Sequence, residues 1–234
     1  MKESIRAMLV SVSLLAGPVA SATDFNVEII NLTNGISFTQ FLIAAHPAGA
    51  NLFTVGQPAS ASLQATAEGG DISGLVTDLM AVGATMVQNP AGGLLMPGMR
   101  TNADVNTDGT ANVELSIVAM LLPTNDGFAS LNAVTIPTMP GTYVFDVPAY
   151  DAGTEANDEL ITGGGAPGAA GIPVDPGGAS GTGGTGVAMA DANSNVHIHR
   201  NNLGDTDPTG GASDLDSTVH RWLNPVVRVV VTVR

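Results

Sequence analysis

Two carboxylates stand four residues apart around a glycine, in Pro148-Ala149-Tyr150-Asp151-Ala152-Gly153-Thr154-Glu155, with Asn157, Asp158 and Glu159 close behind. A chain that turns at glycine can bring Asp151 and Glu155 to one point. Hard oxygen donors placed that way suit Ca²⁺, which takes six to eight oxygens in irregular geometry. An upstream element, Thr124-Asn125-Asp126-Gly127-Phe128, follows a strand-like run ending in Leu121-Leu122-Pro123 and could supply Asp126 as a third carboxylate. The alternative reading of the same residues is a plain solvated turn, which acidic loops commonly form.

Other chemistry is weaker. Asp104-Val105-Asn106-Thr107-Asp108-Gly109 opens like an EF-hand loop, but the position that needs a bidentate glutamate holds Leu115, with Glu114 one place early. Asn106-Thr107-Asp108-Gly109 reads more simply as a hairpin turn. His197 and His199 share one face of a strand, and with His220 they would make a zinc or copper site only by converging. Structural histidines are the expectation for these and for His46. Asp205, Asp207, Asp214 and Asp216 read as a solvated, turn-rich stretch. There is no Gly-x-Ser-x-Gly elbow, His-Glu-x-x-His, phosphate-binding loop or dinucleotide fingerprint. Asp126 with Asp151 could imitate a glycosidase pair, yet 4% aromatic residues and one Trp are thin material for a sugar cleft.

The elements that must position these groups are mostly strands. Phe25, Val27, Ile29 and Leu32 alternate with polar residues up to the turn signal Thr33-Asn34-Gly35, which predicts a strand and hairpin. Further strands are expected over 38–45, 113–122, 131–136, 142–147 and the valine-rich 225–233. Asp71 can cap a short helix carrying Leu75, Val76, Leu79 and Met80 on one face. Residues 163–186 hold 11 Gly in 24 positions, too little apolar material to offset their ordering entropy, and read as a mobile surface loop. The fold class is therefore an all-β antiparallel β-sandwich of about eight strands, with one or two short helices and a long Gly-rich loop.

Composition sets the setting. The chain has 234 residues, 21 acidic against 7 basic, a net charge of −14 and no Cys. Phosphate binding needs a basic face, so no nucleic-acid partner is expected. The lack of Cys excludes disulfides, thiolate metal sites and cysteine nucleophiles. Lys2 and Arg6, the apolar run 7–16, Gly17-Pro18 and Ala20-Ser21-Ala22 form a secretory signal cleaved after Ala22. That leaves 23–234 as one domain, secreted or periplasmic. No later run has 18 uninterrupted apolar residues, so no membrane span is expected.

The motif at 148–155 resembles the most distinctive signature of the spondin N-terminal domain family. Pro123-Thr124-Asn125-Asp126-Gly127-Phe128 is similar to a second element of that family. Weaker matches are Asn31-Leu32-Thr33, His46, Ala67-Glu68-Gly69 and Trp222-Leu223-Asn224-Pro225-Val226-Val227-Arg228-Val229. The resemblance implies an eight-stranded antiparallel sandwich with bound Ca²⁺, in proteins of the extracellular matrix, and maps the metal carboxylates onto Asp126, Asp151 and Glu155. Animal members usually carry Asp where Glu155 stands, and this chain lacks their cysteines, thrombospondin repeats and reelin-like region. It resembles a stand-alone exported bacterial form.

The expected function is an exported, calcium-binding, non-catalytic adhesion module for an extracellular glycan or protein ligand. The rival expectations are an extracellular hydrolase working through a carboxylate pair, and a self-assembling matrix component.

Overall fold

The computed structural model describes residues 23–190 and 192–234, so the expected signal segment lies outside the described residues. In chain order the elements are β1 (Asp24–Asn31), β2 (Ser37–Phe38), β3 (Leu42–Pro47), α1 (Ala61–Gly69), α2 (Ser73–Ala81), β4 (Thr85–Gln88) and β5 (Arg100–Asn106). There follow β6 (Asn112–Leu122), β7 (Gly127–Thr135), β8 (Gly141–Val147), β9 (Ala149–Asp151), β10 (His197–Ile198) and β11 (Val227–Val233). Because β2, β9 and β10 are only two or three residues long, eight longer strands carry the sandwich.

Two antiparallel sheets pack face to face. One has the order β5-β1-β11-β8, the other β10-β9-β7-β6-β3-β4, with β2 paired to β6. Period-two burial on β1 (Phe25, Val27, Ile29) and β11 (Val227, Val229, Val231, Val233) turns one face of the first sheet inward. That face meets Ile43, Ile117, Ala119 and Leu121 of the second sheet. The run in β6 is apolar on both faces for a reason: helices α1 and α2 cover the outer face, where Leu63, Ala67, Leu75 and Leu79 pack with Leu42, Val118 and Phe128. Ser60 caps α1 by accepting from the Leu63 amide, and Gly70 ends it with φ +71°.

Most expected strands form, but 38–45 is split into β2 and β3 with residues 39–41 outside both, and the strand expected over 131–136 begins at Gly127. Further local expectations need correction. The turn after β1 makes no hairpin: β1 pairs with β5 and β11, while β2 pairs with β6. Residues 106–109 do turn, but between strands of different sheets. Asp104 is not part of a calcium loop, since it accepts from Asn26 and Arg234 on an exposed strand. In α2, Leu75 and Leu79 are buried as expected, whereas Met80 is 65% exposed. Asp71 accepts from the Ser73 amide at 2.9 Å, but it stands one residue before the N-cap, Ile72, which makes no side-chain cap.

Candidate metal centre

The register of β7 against β9 builds the site. Gly127 lies opposite Asp151, and the Ala152 N–H donates to the Asp126 carbonyl at 3.2 Å. Asp126, one residue before β7, and Asp151, the last of β9, thus sit side by side at one end of the larger sheet, both fully buried. On neighbouring positions of β7 and β9, Phe128 and Tyr150 stack at 5.5 Å between ring centroids, and Phe53 packs edge-on against both. Gly153 then folds the chain back over Asp126 with φ +70°, and a Cβ there would lie 2.7 Å from the Ser194 carbonyl carbon.

That return brings donors to Asp126. Its Oδ2 accepts from the Thr154 amide at 2.7 Å, the Glu155 amide at 3.1 Å and the Thr154 hydroxyl at 3.2 Å. Its Oδ1 is buried with no donor. Burial, and after it the charge of Asp151, raises the Asp126 carboxyl from 3.8 to about 7 against the pull of those N–H groups. Glu155 repeats the pattern. Its Oε2 accepts from the Gly171 amide at 3.0 Å and the Asn125 side chain at 3.4 Å, while its Oε1 is buried and unpartnered. Burial is the main force lifting Glu155 from 4.5 to about 7, with the charges of Glu68 and Asp126 adding to it.

Asp151 is held differently. Its Oδ1 accepts from the Gly153 amide at 2.8 Å, its Oδ2 from Asn157 at 2.7 Å, and His197 Nε2 lies 3.7 Å away. The structure therefore brings all three expected carboxylates into one region, with Asp151 saturated and Asp126 and Glu155 each keeping one oxygen free.

Several supporting residues carry no signal in the sequence. Asn125 bridges Glu155 and Asp158, and its own carbonyl accepts from the Glu159 amide. Glu68, quoted above only for the resemblance, is a fully buried carboxylate on α1 that accepts from Gln64 at 2.8 Å and the Gly168 amide at 2.6 Å. The Gly-rich segment is the largest surprise. Its Gly168 and Gly171 amides serve Glu68 and Glu155, Ile172 is fully buried, and Asp175 reaches His220 at 3.3 Å. Gly171 has φ +101°, and a Cβ there would collide with the Thr162 hydroxyl.

The histidines do not converge. His197 sits beside Asp151, His199 lies against Trp222 at 5.1 Å between centroids, His220 is buried with Asp175, and His46 is bonded to Ser116 at 2.8 Å. Ser116, His46 and Glu114 line up as nucleophile, base and acid would, yet Ser116 and His46 are both fully buried. Asp205 and Asp216 accept amides of their own turns, as expected of a turn-rich stretch, but Asp214 is buried and ties Ile161 to Gly184.

Among the described residues, no group of three or more His, Asp or Glu is spaced to hold a metal ion as it stands. The feature that fits an oxygen-seeking cation is narrower. Two buried carboxylate oxygens, Asp126 Oδ1 and Glu155 Oε1, lack any donor beside a third carboxylate, and no arginine is paired with any of the three among the described residues. A calcium ion held there would draw its remaining ligands from water and backbone carbonyls.

Among the described residues, no helix is long and apolar enough to cross a membrane. No curated protein matches the chain. The family model Spondin_N matches residues 24–159, a span that includes Asp126, Asp151 and Glu155 and stops short of the Gly-rich segment and β11. That match covers more than half of the chain and agrees with the antiparallel sandwich, so the chain belongs to the Spondin_N family, an extracellular type of domain.

Proposed function

We propose that this protein is an exported, calcium-binding, non-catalytic module that captures an extracellular glycan or protein ligand. The observation that carries the reading is the pair of orphaned, buried oxygens on Asp126 and Glu155, on carboxyls pushed up to about 7. A buried carboxylate without a counter-charge is costly, and a divalent cation removes the cost. When bound, Ca²⁺ would supply charge neutralisation and oxygen coordination.

The chain's own residues do the rest. Asp151 fixes Gly153 and Asn157, Asp126 fixes Thr154 and Glu155, and Glu155 fixes Gly171. Tightening this centre therefore stiffens three loops at one end of the sandwich, where an adhesive domain would present its ligand surface. The non-catalytic part of the reading is supported by burial: Asp126, Asp151, Ser116 and His46 are all shut away from any substrate.

The test is a thermal melt in EGTA and in millimolar Ca²⁺, on the protein and on Asp126→Asn and Glu155→Gln. A ligand at about 100 times its Kd stabilises a folded protein by roughly 2.7 kcal/mol, or about 5–10 °C at this size. The expected result is a shift of that order that both substitutions abolish. Identical melts in EGTA and calcium would remove the metal from the reading.

A further inference from the structure

Five arginines and no lysine lie among the described residues. Three are neutralised on the smaller sheet: Arg100 by Glu28 at 3.2 Å, Arg228 by Asp146 at 2.8 Å, and Arg234 by Asp104 at 2.6 Å and Asp24 at 3.5 Å. Arg200 and Arg221 are exposed and form no ion pair among the described residues. In a chain of net charge −14, two cations without an ion pair among the described residues are conspicuous.

They are also neighbours. The Trp222 amide donates to Asn201 Oδ1 at 2.9 Å, and the Asn202 side chain reaches the His220 carbonyl at 3.4 Å. Further along, the Asp205 amide donates to the Leu215 carbonyl at 2.9 Å, and the Ser217 amide to the Asp205 carbonyl at 2.8 Å. Residues 200–207 and 215–223 therefore run past one another as a two-segment strip. Arg200 and Arg221 stand at one end, and Asp205, Asp207 and Asp216 at the other. Backbone donors hold Asp205 below its usual carboxyl range, and the Thr218 hydroxyl and amide do the same for Asp216.

Two apolar side chains are exposed on this strip: Leu203 at 48%, between the charged ends, and Leu223 at 87%, beside the arginines. The arginine end is rigidly founded. Trp222 is buried against His199, and Asn201 holds φ +82°, unusual for a residue with a side chain, while its amide oxygen pins Trp222.

We propose that this bipolar strip is the contact surface of a homodimer. A two-fold axis lays two copies antiparallel, so that Arg200 and Arg221 of one copy meet Asp205, Asp207 and Asp216 of the other, with Leu203 near the centre and Leu223 flanking each charged contact. Isologous contacts need a self-complementary patch, and a strip with opposite charges at its ends is one. A purely anionic polymer or an acidic lipid surface would be repelled by the aspartate end, so a second copy fits better than either. The inference uses none of the carboxylates of the calcium reading and stands apart from it.

The experiment is sedimentation velocity at 0.15 M salt and constant calcium, from about 5 to 200 µM, on the protein, on Arg221→Glu, on Asp207→Arg and on an equimolar mixture of the two variants. The protein should dimerise with rising concentration, and each reversal should weaken dimerisation at least tenfold. The mixture should recover it, because a heterodimer of the two restores opposite charges at both contacts. A protein that stays monomeric to 200 µM overturns the proposal. So do reversals that dimerise as well as the parent, or a mixture that fails to recover while circular dichroism shows both variants folded. Should either reversal unfold, Leu203→Asp takes its place, with the same loss of dimer expected and a parent-like dimer overturning the proposal.

Discussion

On the smaller sheet, Asp146 takes two hydrogen bonds from Arg228 at 2.8 and 3.3 Å, in open water, and the guanidinium holds its carboxyl below the usual range. At the end of the larger sheet, Asp126 has three donors at 3.2 Å or less and no cation, and its carboxyl rises to about 7. Counting hydrogen bonds would rank Asp126 as the better-satisfied group. Burial reverses the order, because neutral N–H groups on one oxygen do not replace the hydration lost from both. The surface pair is complete as it stands, whereas the buried centre is complete only with a proton or a positive ion.

The sharpest way to break this contrast is to remove a carboxylate that acts as a brace. Asp151→Ala removes the acceptor to which the Gly153 amide and the Asn157 side chain both donate. An unsatisfied buried group costs roughly 1–3 kcal/mol, so the substitution should lower stability by about 2–5 kcal/mol with or without calcium. Urea unfolding in EGTA measures it. A loss under about 1 kcal/mol would mean that Asp151 is not a brace and that the centre is looser than its hydrogen bonds indicate.

Acidity gives the second comparison. Asp126 and Glu155 have folded pKa values raised to about 7 from 3.8 and 4.5, so between those limits the folded state holds protons that the unfolded state has lost. Stability from this source is fully present below about pH 4 and is lost as pH rises toward 7. In EGTA the melting temperature should therefore fall between pH 5 and pH 8. Saturating calcium should flatten or invert that slope, since the metal competes with the same protons. Asp126→Asn should remove about half of the slope in EGTA, because Glu155 is lifted chiefly by its own burial and keeps titrating. A slope untouched by that substitution would place the titrating group elsewhere.

A third effect is expected to be smaller. Asn125→Ala removes the amide that spans Glu155, Asp158 and the Glu159 backbone. It should cost about 1–3 kcal/mol and weaken calcium binding without abolishing it, because no orphaned oxygen of the centre belongs to Asn125. Calorimetric titration of calcium reads the second part. Unchanged affinity would confine Asn125 to a structural role.

How much of this was written in the sequence follows from the same physics. The alternation in β1, the long apolar run of β6 and the valines of β11 are period-two signals from residues that face a core, and each appears as a strand. β5 carries little strand signal because its exposed face is Arg100, Asn102, Asp104 and Asn106, leaving only Thr101 and Val105 buried. The carboxylates of the centre were legible because Tyr-Asp-Ala-Gly-Thr-Glu is a local string. Its partners were not: Gly171 serves Glu155 from 16 residues away, and Gly168 serves Glu68 from 100. A backbone amide looks the same in every residue but proline, so no residue type announces it. Composition reads residues 163–186 as a mobile surface loop, yet their glycines permit the turns that aim those amides.

The smallest effect belongs to the other side of the comparison. Arg228→Gln removes the paired donors from Asp146, where both side chains are nearly half exposed. Such pairs gain little over the water that replaces them, and salt screens what they gain. The substitution should move the melting temperature by no more than about a degree, and less in 0.5 M salt. It should leave calcium binding untouched, since β11 lies in the other sheet from the centre. A larger loss would show that the Arg228 stem contributes packing that the ion pair conceals. Arg228→Met separates these causes, because it keeps the apolar stem and deletes the charge. If Met restores the stability that Gln loses, packing was the contribution, and the carboxylates of the smaller sheet remain what the contrast takes them to be: solvated groups that need no ion.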